Sequence, residues 1–317
     1  MVSSRIQTVL IAGAGAVGLP TAETIYKYNP DCVSILAKDD RLKRYTEDGL
    51  QLNGQKVNFR LSCGEKADLI IIACKFHHLN RIIGDITPSL GPDTIILSLL
   101  NGISSEEIIG AKLGRERLPL AMILGTDAVR TNAPDEGAKV AFSRRGVIHF
   151  GGAEGGNNER EERIAEFFTR AGVEFKLESN MRRTLWFKFM INVGINQVTA
   201  ALRLPYGAIS NKGGPREIPE ARELAEKAMR EVISVANAEG INLNDSDIEN
   251  WYKTVNGLNP EGFTSMCQDV MAKRKTELEM FSPVIMELGK KHRIPVPINE
   301  TLFLQLRTIE KMFKNIA

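Results

Sequence analysis

The chain has 317 residues, of which 43% are hydrophobic and 25% are charged, and its formal net charge at pH 7 is +2. This length suffices for two domains with cores of their own. A charge this small argues against nucleic-acid and membrane-surface binding, which need a concentrated basic face. The four cysteines lack CxxC spacing and the four histidines form no HExxH motif, so neither a disulfide framework nor a metal site is predicted.

The first residues lack the charged and then apolar pattern of a signal peptide. Nowhere does an apolar run reach the ~18 residues that a membrane helix requires. We therefore expect a cytoplasmic protein with no membrane partner.

A glycine-rich loop follows the first predicted strand, residues 8–12. The loop has GxGxxG spacing and consists of Gly13, Ala14, Gly15, Ala16, Val17 and Gly18. In such a loop the first glycine allows a tight turn, the second lets the main chain approach a pyrophosphate, and the third lets the following helix pack closely. Because the motif stands between a strand and a helix, it predicts a dinucleotide site.

The second predicted strand, residues 32–37, ends at Lys38, where an NAD-binding fold places an acidic residue for the ribose 2′-hydroxyl. A lysine can instead pair with a 2′-phosphate, so the sequence predicts NADP(H), with Arg41 as a second contact. If the strand ends one residue later, Asp39 becomes the ribose acid and NAD also fits. Otherwise Asp39 or Asp40 is expected to cap the next helix.

Two further apolar runs, residues 68–74 and 94–100, are predicted as central parallel strands. They end at Lys75 and Asn101. Ligands of open α/β sheets lie at the carboxyl ends of strands, so both side chains are expected near the nicotinamide end of a cofactor. Both residues also suit an ordinary turn.

Antiparallel hairpins are predicted for residues 49–63, around an Asn-Gly turn, and for residues 139–150. Strand patterns stop after residue 177. The later helical patterns cover residues 181–202, 217–239, 245–255, 265–292 (as one helix or as one with a bend) and 300–316. We therefore predict an α/β domain over residues 1–178 and an all-α domain over residues 179–317, joined closely enough to form a fixed cleft.

The helix predicted for residues 181–202 is apolar on almost every face, which is typical of a helix buried on all sides. Lys188, Asn192 and Asn196 recur at i, i+4 and i+8 and form one polar stripe along it. Burying a lysine is costly unless something polar faces it. Acidic residues of a packed neighbour and a small molecule in a cleft both fit that requirement.

Several segments, which follow one another along the chain in the same order as in the family, resemble the ketopantoate reductase (2-dehydropantoate 2-reductase) family. They are GAGAVG at 13–18, ACK at 73–75, LNG at 100–102, WFKFMINVGINQVTA at 186–200 and SMCQDVMAKRKTELE at 265–279. The resemblance implies a Rossmann-type α/β domain followed by a helical domain like that of 6-phosphogluconate dehydrogenase. It also implies NADPH-dependent reduction of 2-dehydropantoate to (R)-pantoate, on the way to pantothenate and coenzyme A.

The resemblance further implies roles for individual residues. Lys188 would be the general acid, and Glu277 would contact the substrate hydroxyl and the region of that lysine. The substrate-binding residues would be Asn192, Asn196, Ser265 and Asn101. The cofactor-binding residues would be the loop 13–18, Lys38, Lys75 and Asn101, the last bridging the nicotinamide ribose and the substrate.

Two positions depart from the family pattern: Leu100 stands where glutamine is common, and Glu279 where aspartate is common. They leave open a reductase of another 2-oxoacid, and a redox sensor that binds NADP(H) without turnover is a further alternative. Hydrophobic residues of the second half, including Phe281 and Met286, fit either an intrachain core or a dimer face. The sequence therefore leaves open whether the protein forms a homodimer.

Overall fold

The computed structural model describes residues 5–133, 136–153, 155–210 and 214–315. The chain forms two compact units. The described residues up to Asn101 and the segment Ser105–Arg182 make the first, while Gly102–Ser104 and the described residues from Arg183 onward make the second. Gly102 belongs to the second unit because it packs on Met280, whose side chain would lie 3.2 Å from a Cβ at this position.

Twelve strands lie in the described part of the first unit. They are β1 (Val9–Ala12), β2 (Val33–Leu36), β3 (Leu50–Leu52), β4 (Gln55–Val57), β5 (Arg60–Ser62), β6 (Ala67–Ile72), β7 (Leu90–Ser98), β8 (Leu120–Leu124), β9 (Asp127–Arg130), β10 (Ala138–Arg144), β11 (Val147–Gly151) and β12 (Phe175–Leu177). The helices of this unit are α1 (Gly18–Tyr28), α2 (Asp40–Glu47), α3 (Leu79–Ile86), α4 (Ser105–Leu113) and α5 (Glu159–Ala171).

The central sheet has five parallel strands in the order β5-β2-β1-β6-β7. Ile11 of β1 lies opposite Ile35 on one side and Ile71 on the other. Such apolar strands suit a sheet buried on both faces. The strand order turns back between β1 and β6, which is the place where open α/β sheets bind ligands. The predicted Rossmann-type fold is confirmed.

The other strands form two smaller sheets, of order β4-β3-β10-β9 and β12-β11-β8. The hairpin predicted for residues 139–150 is wrong, because β10 pairs with β3 and β9 whereas β11 pairs with β8 and β12. The hairpin predicted for residues 49–63 holds for β3 and β4 only, since β5 runs parallel to β2 in the central sheet. Alternating patterns reveal strands but not their partners, which packing between distant segments decides.

The second unit is helical, as predicted. Its helices are α6 (Met181–Ile191), which starts in the last residues of the first unit, α7 (Gln197–Leu202), α8 (Gly207–Ser210), α9 (Pro219–Ala238), α10 (Asp245–Val255), α11 (Ser265–Met271), α12 (Ser282–His292) and α13 (Pro297–Asn315). No helix in the described part of the chain is both long and apolar enough to cross a membrane.

Two predicted helices are interrupted. A π-helical turn, Asn192–Asn196, separates α6 from α7. The continuous helix expected over residues 265–292, straight or bent, is wrong, because α11 ends before Lys273, whose φ of 52° lies in the left-handed region, and α12 starts only at Ser282. Phe281 is 1% exposed and therefore belongs to the intrachain core, while Met286 is half-buried.

Candidate functional site

The glycine loop between β1 and α1 is sterically confined at Gly13 and Gly18 and open at Gly15. A Cβ on Gly13, whose φ is +132°, would lie 2.4 Å from the carbonyl oxygen of Ala73, just past β6. A Cβ on Gly18 would lie 1.9 Å from the carbonyl oxygen of Gly13. A Cβ on Gly15 would meet nothing described within 4 Å. The loop is therefore packed at both ends and open at Gly15, where a pyrophosphate would approach.

The start of α1 directly follows this loop. Val17 occupies the N-cap position without a side-chain capping bond. Pro20 has no N–H, and the N–H groups of Leu19 and Thr21 donate to the carbonyl oxygens of Gly15 and Val17 at 3.1 and 3.3 Å. The helix dipole still adds positive potential at this end, which suits a phosphate anion, so the loop fits a dinucleotide.

Basic groups lie at the end of β2. Lys38 is half-buried, and its Nζ donates a 2.8 Å hydrogen bond to the carbonyl oxygen of Asp85. Asp39 occupies the N-cap position of α2 but makes no capping bond, so the predicted cap is wrong. Its carboxylate instead accepts from Arg81 at 3.1 Å, and Arg41 is half-buried on α2.

Lys75 and Asn101 follow the neighbouring parallel strands β6 and β7, which pair from Leu69 with Ile95 to Ile72 with Ser98. Both residues lie three positions past their strand and are half-buried. Both residues therefore lie at the carboxyl end of the central sheet. This is the end at which the nicotinamide is predicted to bind.

In the second unit, Lys188 lies on α6 one turn before the π-helical turn and is half-buried. Desolvation lowers the pKa of Lys188 from 10.5 to about 8, while the negative charge of Glu277 acts to raise it. Glu277 is 9% exposed. The charge of the buried Glu277 carboxylate thus partly offsets the effect of desolvation on the Lys188 ammonium.

The segment that carries Glu277 is anchored to α13. The backbone N–H and the hydroxyl of Thr276 donate to Glu310 Oε1 at 2.9 and 2.5 Å. Arg307 donates to Glu310 at 3.2 Å and also pairs with Glu279. These bonds hold the backbone on both sides of Glu277.

The two asparagines of the π-helical turn are joined, since Asn196 Nδ2 donates to Asn192 Oδ1 at 3.3 Å. Asn192 is 8% exposed, and its Nδ2 is buried without a hydrogen-bond partner among the residues described. Buried donors of native proteins are almost always satisfied, so this amide calls for an acceptor such as a ligand oxygen.

Ser265 is brought to the same region by a pair of threonines. The Thr199 hydroxyl donates to the Ile195 carbonyl oxygen at 2.8 Å and lies 2.8 Å from the Thr264 hydroxyl. Thr264 caps α11 by accepting from the backbone N–H of Cys267, and exposed Ser265 is the first residue of that helix.

Two polar pairs of the second unit lie at or just before the π-helical turn and on the segment of Glu277: Lys188 senses the charge of Glu277, and Asn196 donates to Asn192. Ser265 begins α11, which packs against the turn. An ammonium can donate a proton to a carbonyl oxygen, while amides and a hydroxyl can hold the neighbouring oxygens. The sequence reading missed Thr199, Thr264 and Glu310. A capping signal could have found Thr264, but nothing local identifies Glu310.

Models of one protein family match most of the chain. The model described as Ketopantoate reductase PanE/ApbA matches residues 9–155, and the one described as Ketopantoate reductase PanE/ApbA C terminal matches residues 180–310. A 2-dehydropantoate 2-reductase of Pyrococcus horikoshii is 27% identical over 310 residues, which cover 96% of this chain and 98% of the relative.

Solved structures share the fold over nearly the full length. A dimeric ketopantoate reductase of Staphylococcus aureus matches with a TM-score of 0.79 at 22% identity, covering 96% of this chain and 99% of that one. D-mandelate dehydrogenase in complex with NADH matches with a TM-score of 0.84 at 21% identity, with the same coverages of 96% and 99%.

The lowered pKa of Lys188 predicts a pH-dependent cost to stability. Unfolding restores the ordinary pKa, so the protonated lysine opposes folding below pH about 8, and this opposition fades as the pH rises toward 10.5. The difference in free energy of unfolding between Lys188→Met and wild type should therefore fall by about 2 kcal/mol from pH 7 to pH 10. Urea denaturation at several pH values measures this difference.

Exposed Lys43 provides the matched control, since Lys43→Met should differ from wild type by a constant amount over that range. A Lys188→Met difference that does not change with pH would show that the ammonium is not desolvated.

Proposed function

The chain belongs to the ketopantoate reductase family of oxidoreductases, and from this premise we propose that it reduces 2-dehydropantoate to (R)-pantoate with NADPH. The reaction would serve the formation of pantothenate and coenzyme A. The observation that carries the proposal is the desolvated Lys188 ammonium, balanced by Glu277 and adjoining the linked pair Asn192 and Asn196.

The first unit would hold the cofactor. The open Gly15 position and the uncapped start of α1 support binding of the pyrophosphate. Lys38, with Arg41, would bind the 2′-phosphate, for which Lys38 would exchange its bond to the Asp85 carbonyl oxygen. The pairing of Asp39 with Arg81 supports this preference, because it reduces the repulsion of a phosphate. When bound, the nicotinamide supplies the hydride for the substrate carbon.

Lys188 would supply the proton. Its Nζ donates to the carbonyl oxygen of the substrate, on which negative charge develops. A pKa of about 8 keeps the amine protonated at neutral pH and close to the working pH, where general acids are most effective. Glu277 opposes the neutralising effect of desolvation. General-acid catalysis of this kind contributes about 10²–10⁴-fold.

The polar side chains around Lys188 would orient the substrate. The buried Nδ2 of Asn192 is a donor suited to a substrate oxygen. Asn196 would bind the same molecule, and Ser265 would contact its carboxylate. Asn101 and Lys75, at the edge of the central sheet, would contact the cofactor, with Asn101 also reaching the substrate.

The departure at Glu279 bears on substrate identity. Glu279 pairs with Arg307, which also holds Glu310, so the side chain supports the segment of Glu277. Glutamate at position 279 therefore still supports the segment of Glu277, on which the proposed substrate contact depends. We also propose a cytoplasmic enzyme and a homodimer, the latter because the S. aureus structure is dimeric.

Replacing the general acid tests the reaction. Lys188→Ala should lower kcat by about 10²–10⁴-fold because the forming alkoxide loses its proton donor, while NADPH binding stays within about threefold. In the wild type, kcat/KM for 2-dehydropantoate should fall as the pH rises through about 8, since the neutral amine cannot act as an acid.

Steady-state kinetics and fluorescence titration of NADPH measure these quantities. Lost NADPH binding with residual turnover near the wild-type rate would contradict the role of Lys188. Tight NADPH binding without turnover of any 2-oxoacid by the wild type would instead favour the redox sensor.

A charge reversal tests the cofactor preference. Lys38→Asp should weaken NADPH binding by about 10- to 100-fold and leave NADH binding within about threefold, because only NADPH carries the 2′-phosphate. Lys43→Asp, at an exposed position of α2, controls for the change in net charge. Equal losses for both cofactors would remove Lys38 from the 2′-phosphate site.

A further inference from the structure

The asparagine pair of the site depends on an unusual backbone. Asn192 and Asn196 are the first and last residues of the π-helical turn. Such turns are rare and are found mostly as single bulges at functional sites. Reverting the turn to a regular α-helix would shift the residues after it by about one position, a rotation of roughly 100° relative to Lys188. The turn therefore sets how Asn196 faces relative to Lys188 and Asn192.

One side of the turn is shaped by α9. A Cβ on Gly194, in the middle of the turn, would lie 2.4 Å from Met229 Cγ and 2.8 Å from the carbonyl oxygen of Ala225. Only glycine fits this close approach. The contact explains why the turn can lie against α9, but it does not explain what satisfies the displaced backbone groups.

Gln197, the first residue of α7, completes the turn with its side chain. Its backbone N–H is directed to the carbonyl oxygen of Gly194. Its side-chain Nε2 donates at 2.8 Å to the carbonyl oxygen of Val193, the acceptor that the backbone N–H of residue 197 would use in a regular α-helix. The side chain thus replaces the backbone bond that the wide turn displaces.

The Gln197 side chain is itself fixed by buried partners. It is 0% exposed, its Oε1 accepts from the Ser282 hydroxyl at 2.6 Å, and its Nε2 also donates to Asn299 Oδ1 at 3.2 Å. Asn299 in turn donates to Glu231 at 2.7 Å and to the Ala228 carbonyl oxygen at 3.3 Å. Three helices, α9, α12 and α13, therefore hold one amide in one orientation.

We propose that Gln197 is a positioning residue for substrate binding, which acts by maintaining the π-helical turn that aims Asn196 relative to Lys188 and Asn192. The inference rests on the proposed function, since it assigns those asparagines to the substrate. Gln197 itself touches no reacting atom. Its loss should weaken substrate binding without removing the proton donor.

Gln197→Met keeps the length and apolar stem but removes both polar groups. It should raise KM for 2-dehydropantoate by about tenfold or more while changing kcat and KM for NADPH by less than about threefold. If Gln197 acts through Asn196, adding Gln197→Met to the Asn196→Ala variant should have little further effect. KM of the double mutant should exceed that of Asn196→Ala by less than about twofold. Ser234→Ala, at an exposed position of α9, should match the wild type.

If Gln197→Met raised KM by the same factor in the wild type and in Asn196→Ala, the proposal would be overturned. A loss of kcat at unchanged KM would also overturn it, because that result indicates a smaller fraction of active enzyme. A crystal structure of Gln197→Met gives a readout that needs no turnover, and a retained π-helical turn there would also overturn it. Absence of turnover by the wild type contradicts the proposed function alone. If Gln197→Met does not fold, Ser282→Ala should raise KM by about threefold, and an unchanged KM would count against the proposal.

Discussion

The charge interaction between the desolvated Lys188 ammonium and the buried Glu277 carboxylate is the interaction on which the proposed chemistry of the second unit depends. Burial drives the pKa of Lys188 down, and the charge of Glu277 drives it up, so the balance leaves the amine protonated but near its titration point at neutral pH. Burying these charges costs folding free energy, and the cost is larger for either charge when the opposite charge is absent. The balance suits a proton donor, whose pKa should lie close to the working pH.

Contacts of α7 and α13 support the elements that carry Lys188 and Glu277. Glu310 and Arg307 of α13 hold the backbone around Glu277. Gln197 sustains the turn that begins one helical turn after the lysine. Buried polar networks of this kind are worth their cost only when every member is satisfied. Within the π-helical turn, Asn192 Nδ2 is a buried donor without an acceptor among the described residues, and a substrate oxygen would satisfy it.

Local patterns predicted much of this molecule. The GxGxxG spacing located the loop whose glycines meet different steric demands, and the limits of α10 agree with the helical pattern over residues 245–255. Long-range choices were out of reach: β10 and β11 each pair with distant strands, and Glu310 lies 34 residues from Thr276. The π-helical turn was also missed, because a stripe at i, i+4 and i+8 is the same in the sequence whether the backbone is regular or widened.

The titration of Lys188 itself tests the account most directly. Proteins with ¹³C at the lysine ε-carbon permit the titration to be followed by NMR, and the signal missing from Lys188→Ala assigns the residue. The account predicts a pKa of about 8 in the wild type and a lower value in Glu277→Gln, where the supporting charge is gone. A titration near 10.5 in the wild type, or the same pKa in both proteins, would contradict it.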